Sequence, residues 1–103
     1  MDKRKVAREE IGRVNLISIK VEKKSSIIID LSQNGFQLII PFIPENNEVE
    51  IEFEVKKRKY NFKGFIHWAS RSLIKLNWYQ VGISIINPSE ELTNEIKRIL
   101  SVY

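Results

Sequence analysis

The chain has 103 residues, enough for one domain with a single core, and its 17 Lys and Arg against 13 Asp and Glu leave a net charge of +4. That excess favours anionic partners without requiring nucleic acid, and with no cysteine neither disulfides nor thiolate metal sites can form. No apolar run approaches the roughly 18 residues of a membrane-spanning helix, and the charged start lacks the apolar stretch of a secretory signal. A reducing, cytoplasmic setting is therefore expected.

Residues 1–13 are charged and without strong period, which predicts a flexible basic arm ahead of a single domain over 14–103. From Val14 to Glu22 the pattern alternates, with Ile17, Ile19 and Val21 on one face, and predicts a half-buried strand. Lys23 to Ser26 reads as a polar turn. A second strand follows through Leu31, and its period of two groups Ile27, Ile29 and Leu31 against Ile28, Asp30 and Ser32. A tight reversal at Asn34 and Gly35, where either can supply a positive φ, leads into a third strand from Phe36 to Ile40. Pro41 and Pro44 then predict a loop to Asn47.

Glu48 to Val55 is the clearest strand: Val49, Ile51, Phe53 and Val55 alternate with four glutamates. A basic turn, Lys56 to Lys59, precedes a strand from Tyr60 to Trp68 with Tyr60, Phe62, Ile66 and Trp68 on one face. In a hairpin, Lys59 and Lys63 stand across from the glutamate row and neutralise part of it. Ala69 to Leu73 reads as a connection and Ile74 to Ile86 as the last strand, with Val81, Ile83 and Ile85 inward and a bulge or bend near Trp78. Asn87 as cap, Pro88 in the first turn and Glu90 reaching back predict a helix over about 88–101, with Leu92, Ile96, Ile99 and Leu100 as one apolar stripe. Six strands and one terminal helix predict an all-β fold, a six-stranded antiparallel barrel with the helix packed on it, because closure removes exposed edges.

Two elements carry the functional signal. Asp30-Leu31-Ser32-Gln33-Asn34-Gly35 forms a DxSxxG run in which an acid and a hydroxyl share a strand face; Asp is depleted in strands, so Asp30 either stabilises the turn or meets a ligand. Upstream, Arg4 and Arg8 form RxxxR on the basic arm. With these motifs, and with Gly64-Phe65-Ile66-His67-Trp68 and Tyr79-Gln80-Val81-Gly82-Ile83 as matching strands, the chain resembles PilZ domains, bacterial receptors for the second messenger cyclic di-GMP.

The resemblance implies a six-stranded barrel whose arm folds over the dinucleotide against the DxSxxG face, with Arg4, Arg8, Asp30, Ser32 and Gly35 as ligand residues. Lys5, Arg13 and Asn34 stand as additional candidates, and Arg13 competes with Arg8 to complete the arginine pair. Guanine presents O6 and N7 acceptors that suit a guanidinium fork, and N–H donors that suit a carboxylate. Gly35 allows the turn and a close backbone approach. Starting at Met1, the chain is expected to be a single-domain receptor or adaptor that signals to motility, pilus or secretion machinery, without cofactor or metal.

Other classes fit less well. A PilZ-fold interaction domain that binds no nucleotide, using Trp78 or Tyr103, is the alternative. A nucleic-acid barrel stacking bases on Trp68, Trp78 or Tyr79 conflicts with the small charge excess and with Glu48 to Glu54. An enzyme is not expected: His67 is the one histidine and reads as a satisfied or solvent-facing strand residue, and no second carboxylate is placed beside Asp30.

Overall fold

The strictest alternation in the chain makes its most regular hairpin. In a computed structural model that describes residues 6–7 and 17–102, the strands are β1 (Val6–Ala7), β2 (Ile17–Val21), β3 (Lys24–Ser32), β4 (Gly35–Ile40), β5 (Glu48–Val55), β6 (Arg58–Arg71) and β7 (Tyr79–Ile86), followed by the helix α1 (Glu90–Val102). Along β5, Val49, Ile51, Phe53 and Val55 are all buried, and the four glutamates point outward. The β5–β6 register sets Glu54 opposite Lys59 and Glu50 opposite Lys63, and the Lys63 ammonium lies 3.5 Å from Glu48. The turn between them is shorter than the predicted Lys56–Lys59 turn: Val55 pairs with Arg58, leaving Lys56 and Lys57 at positive φ of 49° and 72°. Two left-handed residues match the twist of the strands, so the hairpin closes tightly at the cost of conformations that lysine disfavours.

β3 closes the sheet. Its first residues pair with β2, its later ones with β4, and the order β3-β2-β5-β6-β7-β4 returns to β3, giving a six-stranded antiparallel barrel. Where β2 leaves the edge of β3, the two residues of β1 take its place, with Val6 opposite Leu31 and Ala7 opposite Asp30.

Two bulges change the phase that simple alternation predicts. The β3–β4 ladder slips between Ile28 and Asp30, so Ile28 and Leu31 are the core residues, while Ile27 and Ile29 are only half-buried. The β6–β7 ladder slips between Ile66 and Trp68, which leaves Ile66 in the core and turns Trp68 outward, 43% exposed, instead of onto the predicted face with Tyr60, Phe62 and Ile66. An extra residue on one strand reverses every side chain beyond it, and short-range period cannot register that.

The predicted last strand is also shorter. Residues 72–78 form a loop in which the Ser72 hydroxyl accepts from the backbone N–H groups of Ile74 and Lys75, Ser72 N–H donates to the Trp78 carbonyl, and Asn77 has φ 67°. Those bonds take the backbone groups a strand would need, so β7 begins at Tyr79 and β6 extends through Arg71. The predicted bend near Trp78 falls at Asn77. Neither Asn34 nor Gly35 has positive φ, so the β3–β4 reversal does not use the left-handed residue expected there.

The helix begins two residues later than predicted. Ser89, not Asn87, is the cap, its hydroxyl accepting from Leu92 N–H at 3.1 Å, and Asn87 turns the chain with φ 46°. Leu92, Ile96, Ile99 and Leu100 are buried in the same cluster as Phe53, Val55 and Leu31, so the stripe seals the barrel core. Glu95 is buried beside them, accepting from the Tyr60 hydroxyl at 3.2 Å and from Arg98 at 3.0 Å. Burial, reinforced by the Glu95 charge, raises the Tyr60 pKa above the ordinary 10.0. Among the described residues, no helix is long and apolar enough to cross a membrane.

Two outcomes follow from these contacts. Replacing Lys56 by Asn and Lys57 by Gly relieves the left-handed turn and raises stability by about 1 kcal/mol in urea titration. Because native Tyr60 holds its proton more tightly than the unfolded chain does, its contribution is complete below pH 10.0 and is lost as pH rises through the raised value. Tyr60→Phe therefore flattens the alkaline arm of the stability profile; an unchanged arm would show that the phenol is not coupled to folding.

Candidate functional site

Alternation, once corrected for the two bulges, lines up two outward-facing rows across four strands. Register places Asp30 opposite Gln37, Gln37 opposite Gly82 and Gly82 opposite Trp68; one step along, Ser32 is opposite Gly35, Gly35 opposite Ser84 and Ser84 opposite Phe65. Each row has a glycine in its middle and larger side chains at its ends. The result is a cleft of about 340 Å³ on the barrel's outer face, walled by Asp30 and Ser32 on one side and by His67 and Trp68 on the other. Its volume lies within the roughly 300–1,000 Å³ of small-molecule sites.

The glycines shape its floor for different reasons. A β-carbon on Gly82 would collide with the Trp68 indole, so the ring lies down over β7 only because position 82 has no side chain. A β-carbon on Gly35 would collide with the Ile83 carbonyl oxygen, so glycine is needed there for the close approach of β4 to β7.

Polar groups in the cleft are held in defined directions. The Ser32 hydroxyl donates to the Gly35 carbonyl at 3.3 Å, which supports the turn and leaves its oxygen as an acceptor. His67 Nε2 is 2.7 Å from the Ser84 hydroxyl, and its ring meets Phe65 edge-on at 5.0 Å between centroids. At the far side, Gln80 Nε2 donates to Gln37 Oε1 at 3.4 Å. Asp30 is the one acidic or basic side chain, histidine aside, among the described lining residues. This wall therefore offers a carboxylate, a hydroxyl acceptor and an indole face, and it supplies no lysine or arginine.

Of the sequence-predicted candidates, Asp30, Ser32, Asn34 and Gly35 all line this cleft. Arg4, Lys5, Arg8 and Arg13 lie outside the described residues, although the backbone of Val6 and Ala7, between the two arginines of RxxxR, pairs directly with Leu31 and Asp30. The cleft also contains residues that the sequence did not assign to the dinucleotide site: Gln37, His67, Trp68, Gly82 and Ser84. His67 and Trp68 share the outer surface because of the bulge between Ile66 and Trp68, where plain alternation sets them on opposite faces. Gly82 was the available signal, since an interior strand glycine marks a close approach.

Comparison with known proteins places this geometry in a family. A family model described as the PilZ domain matches residues 3–101. Among solved structures, the chain is similar to the Borreliella burgdorferi PlzA protein, in a crystal structure in complex with c-di-GMP, with a TM-score of 0.61 and 16% sequence identity over 96% of this chain and 50% of that one. At that identity the likeness concerns the fold, and the chain spans half the length of the protein it resembles. No curated protein matches the sequence. With the family model matching residues 3–101 of 103, the chain belongs to the PilZ domain family.

Proposed function

We propose that the chain is a cyclic di-GMP receptor in which the RxxxR arm and the DxSxxG face clamp the dinucleotide, and the closed form is read by a protein partner such as motility, pilus or secretion machinery. The observation that carries this is the pairing of Ala7 with Asp30, which sets the interior of the first motif against the first residue of the second. Arg8 follows Ala7 by one Cα step of about 3.8 Å, whereas Arg13 is five residues further on; the register therefore supports Arg8 as the second arginine. The solved complex of PlzA, with the same fold, carries c-di-GMP.

The chemistry of the cleft agrees with a purine ligand. Asp30 can accept from the N1–H and N2–H₂ donor edge of guanine, and Ser32, whose proton is engaged by the Gly35 carbonyl, offers lone pairs to the same edge. The Trp68 indole offers a face for stacking. Since the described wall has no lysine or arginine, the two phosphates of the ligand call for cations from outside it, and Arg4, Lys5 and Arg8 are the adjoining ones in sequence. Asn34 stands at the turn as a further polar contact.

Isothermal titration with cyclic di-GMP tests the assignment. Arg8→Ala and Asp30→Ala each lose a charge-assisted contact of about 1.5–3 kcal/mol, which corresponds to roughly ten- to a hundredfold weaker binding. Trp68→Ala loses about 1–3 kcal/mol of stacking. Unchanged affinity in both charge variants would remove these residues from the site. Absence of binding by the unaltered protein at high micromolar ligand would leave a PilZ-fold interaction domain that uses no nucleotide.

A further inference from the structure

The loop between β6 and β7 exposes more aliphatic surface than any packing role explains. Leu73 is 99% exposed, Leu76 85% and Ile74 67%, so these side chains pack against neither the barrel nor one another to any great extent. The loop is nevertheless well built: the Ser72 hydroxyl accepts from two backbone N–H groups at 3.0 Å, Ser72 N–H donates to the Trp78 carbonyl at 2.9 Å, and Trp78 N–H donates to the Lys75 carbonyl at 3.1 Å. The aliphatic tip is thus presented by a hydrogen-bonded frame. Single exposed apolar residues are ordinary, but three within four positions at a protruding turn mark a contact surface.

Charge indicates what it contacts. From Lys56 through Ser89 the sequence contains no Asp or Glu; Arg71 precedes the aliphatic residues and Lys75 lies between Ile74 and Leu76. The Lys75 ammonium lies 4.4 Å from the centre of the Trp78 ring, so a cation and an indole stand together in the same loop as the aliphatic residues. Aliphatic side chains, a tryptophan and basic residues gathered in one loop match what a membrane surface offers: acyl boundary, headgroup zone and anionic phosphates. The convex shape agrees, since a bilayer accommodates freely standing side chains without the matching pocket a protein would need.

We propose that the Arg71–Trp78 loop docks this protein on anionic lipid bilayers by inserting Leu73, Ile74 and Leu76 while Arg71 and Lys75 meet lipid phosphates. The contact is peripheral and independent of the dinucleotide cleft. Sedimentation of the full chain with vesicles of phosphatidylcholine, alone or mixed with phosphatidylglycerol, tests it. The chain is expected to pellet with the mixed vesicles, less so as salt is raised. Leu73→Ser/Leu76→Ser is expected to partition about tenfold more weakly or worse. Lys75→Glu also weakens partition, whereas Lys56→Ser/Lys57→Ser, at the opposite end of β6, leaves it unchanged. Circular dichroism checks that each variant keeps the barrel.

Three results would overturn the proposal. The chain could stay in the supernatant with both vesicle types. Leu73→Ser/Leu76→Ser could sediment like the unaltered protein, which would make the binding purely electrostatic. Finally, sedimentation velocity could show a dimer that this double variant turns into a monomer, which would make the loop a contact between copies.

Discussion

The pairing of β3 with β4 is the constraint on which the rest of this structure depends. It joins the ends of a six-stranded sheet, so no long barrel edge is left to recruit other chains. It also contains the slip between Ile28 and Asp30, through which Ile28 and Leu31 both reach the core while Asp30 and Ser32 both face out. Beyond the last residue paired with β2, the free edge of β3 is taken by Val6 and Ala7. Closure, the polar face of the cleft and the pairing of β1 are thus consequences of one strand with three neighbours.

The opposite wall is made by the same device. The slip between Ile66 and Trp68 puts His67 and Trp68 together on the outer surface, and the absent side chain at Gly82 lets the indole lie over β7. Both walls therefore stand on strands whose inner faces are locked into the core by residues such as Leu31, Ile66 and Ile83. A cleft whose side chains rise from a closed barrel has little freedom to rearrange, which suits binding through preset geometry.

The polar elements outside the cleft serve packing. The glutamate row on β5 meets Lys59 and Lys63 across the ladder, and Glu95 is kept in a buried place by Tyr60 and Arg98. An unpartnered carboxylate there would be costly, so these contacts permit the helix to cover the barrel core. Among the described residues, the β6–β7 loop departs furthest from that economy, showing solvent its aliphatic side chains on a frame of backbone hydrogen bonds.

Much of this was legible in the residues alone. The alternation of β5, the inward set Val81, Ile83 and Ile85, and the stripe from Leu92 to Leu100 each follow from a period that a core imposes locally, and the DxSxxG run already joined Asp30 to Ser32 on one face. Positions where two strands must fit each other were not legible. The phase of Ile28, the outward turn of Trp68, the start of β7 at Tyr79 and the membership of Gln37, Gly82 and Ser84 in the cleft depend on register between segments far apart in the chain. Sequence by itself determined which side chains want burial, because burial preference is a property of each residue. Tertiary structure alone decided which polar and aromatic residues meet, because a bulge costs one residue on one strand and its effect appears only against the neighbouring strand.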